Sequence, residues 1–170
     1  MLNDTIRFIR TLTFYRIFNI FRVYAGYWLS LLTRQVIVWG KPFSIAIEPT
    51  SHCNLRCPEC PSGAGRLQRS RGYIDIGLFK QIINETASHL NWLILYFQGE
   101  PFLHEKLPEM LTYTSRQNIY TCLSTNGHYL NTDVCRKIIQ AGTDRIIISL
   151  DGADQETYSH YRVNGDIEKV

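Results

Sequence analysis

From Phe43 onward, short apolar runs alternate with longer stretches whose apolar residues recur at helical spacing. The runs are FSIAIEP (43–49), WLILYFQ (92–98), IYTCLST (119–125) and RIIISL (145–150). Continuous apolar runs of this length read as strands of a parallel sheet buried on both faces. Between and after them come GLFKQIINETASHL (77–90), HEKLPEMLTYTSRQ (104–117), TDVCRKIIQA (132–141) and DGADQETYSHYRV (151–163), which read as helices. Asn131 or Thr132 is the expected N-cap of the third helix and Gly142 its stop. The pattern predicts an α/β fold of about four βα units at about 30 residues each, the pace of a βα barrel.

Residues 1–40 break this pattern. IRFIRTLTFYRIFNIFRVYAGYWLSLLTRQVIVWG (6–40) mixes aromatic and aliphatic residues with Arg7, Arg10, Arg16, Arg22 and Arg34. Asn19 and Arg22 interrupt its most apolar part, and a membrane span wants about 20 clean apolar residues. At 100° per residue the arginines scatter around the helical wheel and line no single face. Two readings stay open: a helical extension packed on its own domain or a partner, and a segment in contact with a membrane surface. The expected division is a helical, aromatic- and Arg-rich extension over 1–40 and a core of βα units over 41–170.

The polar motifs fall at the ends of the strands. A cysteine loop, SHCNLRCPEC (51–60), follows the first run, QGEP (98–101) the second, STNG (124–127) the third and SLDG (149–152) the fourth. A parallel sheet presents the carboxyl ends of all its strands on one edge, and ligands bind there, so one shared site is expected. STNG alone would suggest a hairpin, because Asn-Gly favours one, but the helical segment behind it makes a strand-to-helix loop the better reading. The chain reaches Val170 within the fourth unit, leaving an edge strand that needs cover, so a fragment of something longer is expected.

Composition adds little. With 18 Lys and Arg against 15 Asp and Glu, the net charge of +3 gives no clustered basic face, and nucleic acid is not expected as a partner. Five cysteines at uneven spacing, without a secretory leader, point to reduced thiols and a cytoplasmic location, with the N-terminal segment leaving room for a peripheral membrane position.

Cys53, Cys57 and Cys60 are spaced C-x₃-C-x₂-C, close enough to point at one small object. Structural zinc wants four ligands, and no fourth Cys or His falls at a standard spacing; His52 would have to double back on its own loop. An iron–sulfur cluster on three thiolates would leave one iron open. A zinc loop or buried thiols is the plain alternative. Cys122 and Cys135 read as small buried hydrophobes; His104 and His128, near the ligand edge, read as solvated or helix-capping side chains, with proton carriers as the other reading.

CNLRCPEC resembles the cluster-binding motif of the radical S-adenosylmethionine (SAM) superfamily. The resemblance implies a partial (βα) barrel in which Cys53, Cys57 and Cys60 hold a [4Fe-4S] cluster whose fourth iron is chelated by SAM. It also implies a low-potential electron donor and cleavage of SAM to a 5′-deoxyadenosyl radical that takes hydrogen from a substrate. QGEP is similar to the motif that receives the SAM amino group, which makes Gly99, Glu100 and Pro101 expected cofactor contacts, with Gln98 in place of the usual glycine. By the same resemblance Thr125 and Asn126, then Ser149 and Asp151, are expected beside SAM, and Arg162 of HYRVNG is expected to pair with its carboxylate. Glu59 stands where an aromatic that packs on adenine is usual. The wording EPTSHCNLRCPECP is similar to the branch that carries a C-terminal SPASM domain, which implies a peptide or protein substrate. The alternative expectation is a metal-binding module without catalysis, or an inactive fragment.

Overall fold

The computed structural model describes residues 2–170. Two helices come first, α1 (Leu2–Arg10) and α2 (Phe14–Thr33). Four βα units follow: β1 (Ser44–Ala46) with α3 (Ile76–Thr86), β2 (Trp92–Ile94) with α4 (Leu107–Arg116), β3 (Tyr120–Thr125) with α5 (Thr132–Gln140), and β4 (Arg145–Ile148) with α6 (Gln155–Tyr161). The strands lie in the order β1-β2-β3-β4 and every neighbouring pair is parallel.

Strand and helix ends follow from local chemistry. Asn131 caps α5, its side chain accepting from the Val134 N–H at 2.9 Å, and Gly142 just beyond the helix takes φ +84°, a conformation costly for any residue with a Cβ. Asp75 caps α3 through the Leu78 N–H, and Asp154 and Thr157 form a reciprocal capping box on α6. The strands are shorter than the apolar runs that predict them. In WLILYFQ the ladder ends one hydrogen bond past Ile94, where the Leu95 N–H donates to the Cys122 carbonyl; Tyr96 and Phe97 then leave the sheet toward the site.

One face of the sheet packs on the helices. Phe79 and Ile83 of α3, Met110 and Leu111 of α4, and Ile138 of α5 close over Leu93, Leu95 and Leu123, all buried. Each such side chain contributes about 1.5–3 kcal/mol by leaving water. The prediction of two buried faces holds for β3, where five of the six residues are buried, and fails for β4, where Arg145, Ile147 and Ile148 are exposed. No further strand pairs with β4 among the described residues, so its outer edge lacks the cover that a central strand has.

Helices α1 and α2 sit under the amino ends of the strands. Phe8 packs its ring on Trp92 and Tyr120, at 5.7 Å from each. Asp4 bonds the Tyr120 hydroxyl and pairs with Arg145, and Arg7 pairs with Asp144 just before β4. The buried Arg16 guanidinium donates to four carbonyls, those of Thr11, Ala87, Gln117 and Asn118, at 2.5–3.1 Å. Ala87 ends α3 and Gln117 ends α4, so Arg16 collects acceptors that helix carboxyl ends leave without partners. After α2 the chain runs back along the helix. Asn19 exchanges two hydrogen bonds of 2.9 Å with the Lys41 backbone, and the Ser30 hydroxyl accepts from the Ile37 N–H at 2.9 Å.

Candidate functional site

The cysteine loop is an excursion closed at its neck. Thr50 and Ser51 meet Gly72, with the Thr50 hydroxyl donating to the Gly72 carbonyl at 2.9 Å and the Gly72 N–H donating to the Ser51 hydroxyl at 2.9 Å. The Ile74 N–H bonds the Pro49 carbonyl in the next rung. Within the loop the Ser62 hydroxyl donates to the Ser51 carbonyl at 2.7 Å, and Arg71 reaches the Ser62 carbonyl at 2.8 Å. A loop pinned at its neck and across its middle holds its three thiols in place without help from a regular element.

Three other loops converge on it. The Glu100 N–H donates to the His52 carbonyl at 2.8 Å, tying the QGEP loop to the cysteine loop. Gly99 is wedged so close that a Cβ there would overlap the Thr50 carbonyl and come within 2.9 Å of the His52 carbonyl, so only glycine fits. The Asn126 amide donates to the Asn54 side chain at 2.8 Å, and the Arg56 N–H donates to the Val163 carbonyl at 2.9 Å, which joins the loop to the segment after α6. Each thiol therefore faces a different neighbour: Asn126 lies 3.9 Å from the Cys53 sulfur, Arg162 lies 3.9 Å from that of Cys57, and Cys60 points at the Gln98 carbonyl at 3.5 Å.

A cavity of about 230 Å³ lies where these loops meet. Of the residues expected at a cofactor, Cys53, Cys57, Cys60, Gly99, Glu100, Thr125, Asn126, Ser149 and Arg162 line it. Pro101 and Asp151 do not. Pro101 is buried at the start of a 3₁₀ turn, Pro101–Leu103, and Asp151 stands outside the cavity, paired with Arg162 at 2.5 Å. His104 is buried rather than solvated, with Nε2 3.0 Å from the Ile74 carbonyl. His128 lies off the cavity and accepts the Asp166 N–H on Nε2 at 2.9 Å. Cys122 is buried as expected for a small hydrophobe, and Cys135 is half-buried.

Glu100 is 2 % exposed, and its carboxylate is already engaged. One oxygen accepts from the Thr125 hydroxyl at 2.8 Å and the Phe102 N–H at 3.2 Å, and the other from the Asn126 N–H at 2.8 Å. Burial pushes its pKa up, against the pull of those donors. The side chain binds the QGEP loop to the STNG loop. Glu48 does the corresponding work from β1's end: one oxygen accepts the Gln98 and Gly99 N–H groups at 2.9 and 3.2 Å, and the other pairs with Arg69. No signal near it in the sequence marks it, because its partners lie 50 and 51 positions away. Phe97 and Tyr161, two further lining residues, give the cavity the aromatic surface that Glu59 does not.

The donor set suits an iron–sulfur cluster with one iron left open, because three thiols of one loop and no fourth Cys or His line the cavity. Among the described residues no three His, Cys, Asp or Glu side chains stand close enough to hold one metal ion. Three thiols nevertheless share one cavity, each with a polar group from another loop within 3.5–3.9 Å of its sulfur. A structural zinc site would need a fourth Cys or His that the cavity lining does not offer. Burial raises the pKa of Cys53 and of Cys57, with the Arg162 charge working the other way at Cys57, so metal loading of the free thiols releases protons. Burial also works to lower the pKa of Arg162, but Asp151 outweighs it and the guanidinium stays charged.

Comparison with known proteins agrees with this geometry. The family model described as Radical SAM superfamily matches residues 47–170. An AdoMet-dependent heme synthase of Methanosarcina barkeri is 32% identical over 128 residues, covering 75% of this chain and 36% of its own length. A PqqA peptide cyclase of Granulibacter bethesdensis is 30% identical over 117 residues, covering 68% of this chain and 30% of its own length. The chain thus spans about a third of the curated relatives it matches. Among solved structures, BtrN in complex with AdoMet and 2-DOIA superposes with a TM-score of 0.60 at 24% identity, over 76% of this chain and 55% of that one. Streptococcus suis SuiB bound to S-adenosylmethionine superposes with a TM-score of 0.59 at 16% identity, over 71% and 28%. At these identities the structures speak for the fold, a partial (βα) barrel. This chain belongs to the radical SAM superfamily, whose members bind a [4Fe-4S] cluster and SAM.

Proposed function

From that membership we propose that the chain is the cofactor-binding part of an enzyme that cleaves SAM reductively and abstracts hydrogen from a peptide or protein substrate. The observation that carries the reading is the convergence of three thiols of one pinned loop with three further loops on a single cavity. Cys53, Cys57 and Cys60 would hold the cluster, leaving one iron for SAM. When bound, the reduced cluster and SAM together supply a carbon-centred radical strong enough to take hydrogen from an unactivated C–H bond.

The protein's own contribution is positioning. Arg162 is the one cationic side chain among the cavity-lining residues, which suits it to a carboxylate at the edge of the cavity, with Asp151 behind it fixing its direction. Gly99 allows a ligand to approach the main chain, while Glu100 holds Thr125 and Asn126 at the cavity wall. Ser149 lies 3.3 Å from Ser124 across β3 and β4 and offers a hydroxyl from the last strand. The peptide or protein substrate rests on the similarity to a peptide cyclase and on the SPASM-like wording of the cysteine loop. A low-potential electron donor and a reducing cytoplasmic setting complete the reading.

The test is anaerobic reconstitution with iron and sulfide, then reduction by dithionite in the presence of SAM. The expected product is 5′-deoxyadenosine with methionine, formed by the native chain and absent with Cys57→Ala. A colourless protein holding one zinc per chain would refute the proposal.

A further inference from the structure

Helix α2 is turned inside out. Its docked stripe is Arg16, Asn19, Gly26 and Ser30, polar or small, and these residues serve the buried carbonyls and the returning segment 37–41. The opposite side carries Phe14, Phe21, Trp28 and Leu32, which at 100° per residue fall within one narrow sector of the wheel. All four are exposed, Phe14 at 86 % and Leu32 at 81 %. The returning segment runs along the docked stripe and so leaves this side of the helix uncovered. Scattered surface apolar residues need no explanation, but a whole helix face of aromatic and leucine side chains marks an interaction surface.

Charge says what covers it. Between Asp4 and Glu48 the chain has no acidic residue. Of the basic residues in that span, Arg7 is paired with Asp144 and Arg16 is spent on carbonyls. Arg10, Arg22, Arg34 and Lys41 are exposed and form no ion pair among the described residues. An apolar and aromatic face on a segment that carries unpaired cations and no acid complements a surface that is apolar below and anionic at its rim. No described helix is long and apolar enough to cross a membrane, so contact is along the surface. The face also lies at the amino ends of the strands, opposite the cavity, so covering it leaves the cavity open.

We propose that the outward face of α2, Phe14, Phe21, Trp28 and Leu32, seats on the surface of an anionic phospholipid bilayer and holds the cavity pointing away from it. The proposal is independent of the cavity's chemistry.

Vesicle flotation of the purified chain tests it, using phosphatidylcholine vesicles with and without phosphatidylglycerol. The chain is expected to float at least 10-fold more with the anionic vesicles and to be released by 0.5 M salt. Brominated lipid should quench the fluorescence of exposed Trp28 and spare Trp92. The surface double variant Phe21→Asp/Trp28→Asp should lose flotation with an unchanged far-ultraviolet circular dichroism spectrum. Failure of the native chain to float would overturn the proposal, whether it is monomeric or forms a dimer that the double variant dissociates. So would flotation that the double variant retains, or flotation without tryptophan quenching.

Discussion

The two ends of the sheet solve opposite problems with one buried charge each. At the base, Arg16 lies among main-chain carbonyls at the ends of α3 and α4. At the site end, Glu100 lies among donors, the N–H groups of Phe102 and Asn126 and the Thr125 hydroxyl. The contrast follows from the direction of the βα unit. Parallel strands and their return helices leave helix carboxyl ends, with orphan acceptors, on the lower edge. They leave strand-to-helix loops and helix amino ends, with orphan donors, on the upper edge. The lower edge is therefore sealed by a cation and made stable. At the upper edge Glu48 and Glu100 collect the donors of Gln98, Gly99, Phe102, Thr125 and Asn126, and the cavity opens beside them.

Substitutions can break this contrast. The largest effect on stability is expected from Arg16→Ala, which strips partners from four buried or half-buried carbonyls; about 3 kcal/mol should be lost in urea unfolding. Arg16→Lys should recover only part of it, because an ammonium cannot span the four carbonyls as a planar fork does. Reconstituted cluster content of the material that remains folded should be unchanged in both.

Gly99→Ala comes next and acts at the other end. Its methyl group collides with main chain, not with a flexible side chain, so a cost of about 2–3 kcal/mol is expected together with weaker SAM binding by calorimetry. Glu100→Gln turns one acceptor into a donor facing other donors and should cost about 2 kcal/mol. Loss of hydrogen-exchange protection at the Asn126 amide would report it directly. The smallest change sharpens the comparison. Asn131→Ala removes the cap of α5 beside the site end but away from the cavity; about 1 kcal/mol should go, with cluster content and SAM affinity intact.

What could be read from the sequence was whatever local chemistry writes. The alternation of apolar runs and helices, the Asn131 cap, the Gly142 stop and the cysteine spacing all act within a few residues, and the structure shows each. The rest is written at long range. Glu48 meets Gly99 51 positions away and Arg16 meets Asn118 102 positions away, and nothing near either residue announces its partner. The arginines of the extension look scattered on a wheel because they do different work, Arg16 inward and Arg22 outward. Glu100 sits in a motif that suggests a ligand contact, and only coordinates reveal that its oxygens are already committed to Phe102, Thr125 and Asn126.

With a cluster on the pinned loop, one metal position would stay open and face donors from three other loops. The most direct measurement is the electron paramagnetic resonance spectrum of the reconstituted, reduced chain, recorded with and without SAM alongside iron and sulfide analysis. About four iron and four sulfide per chain are expected, with a signal that shifts when SAM is added and neither cluster nor signal in Cys57→Ala. A cluster whose spectrum ignores SAM, or a chain that takes up a single metal ion, would contradict the open position.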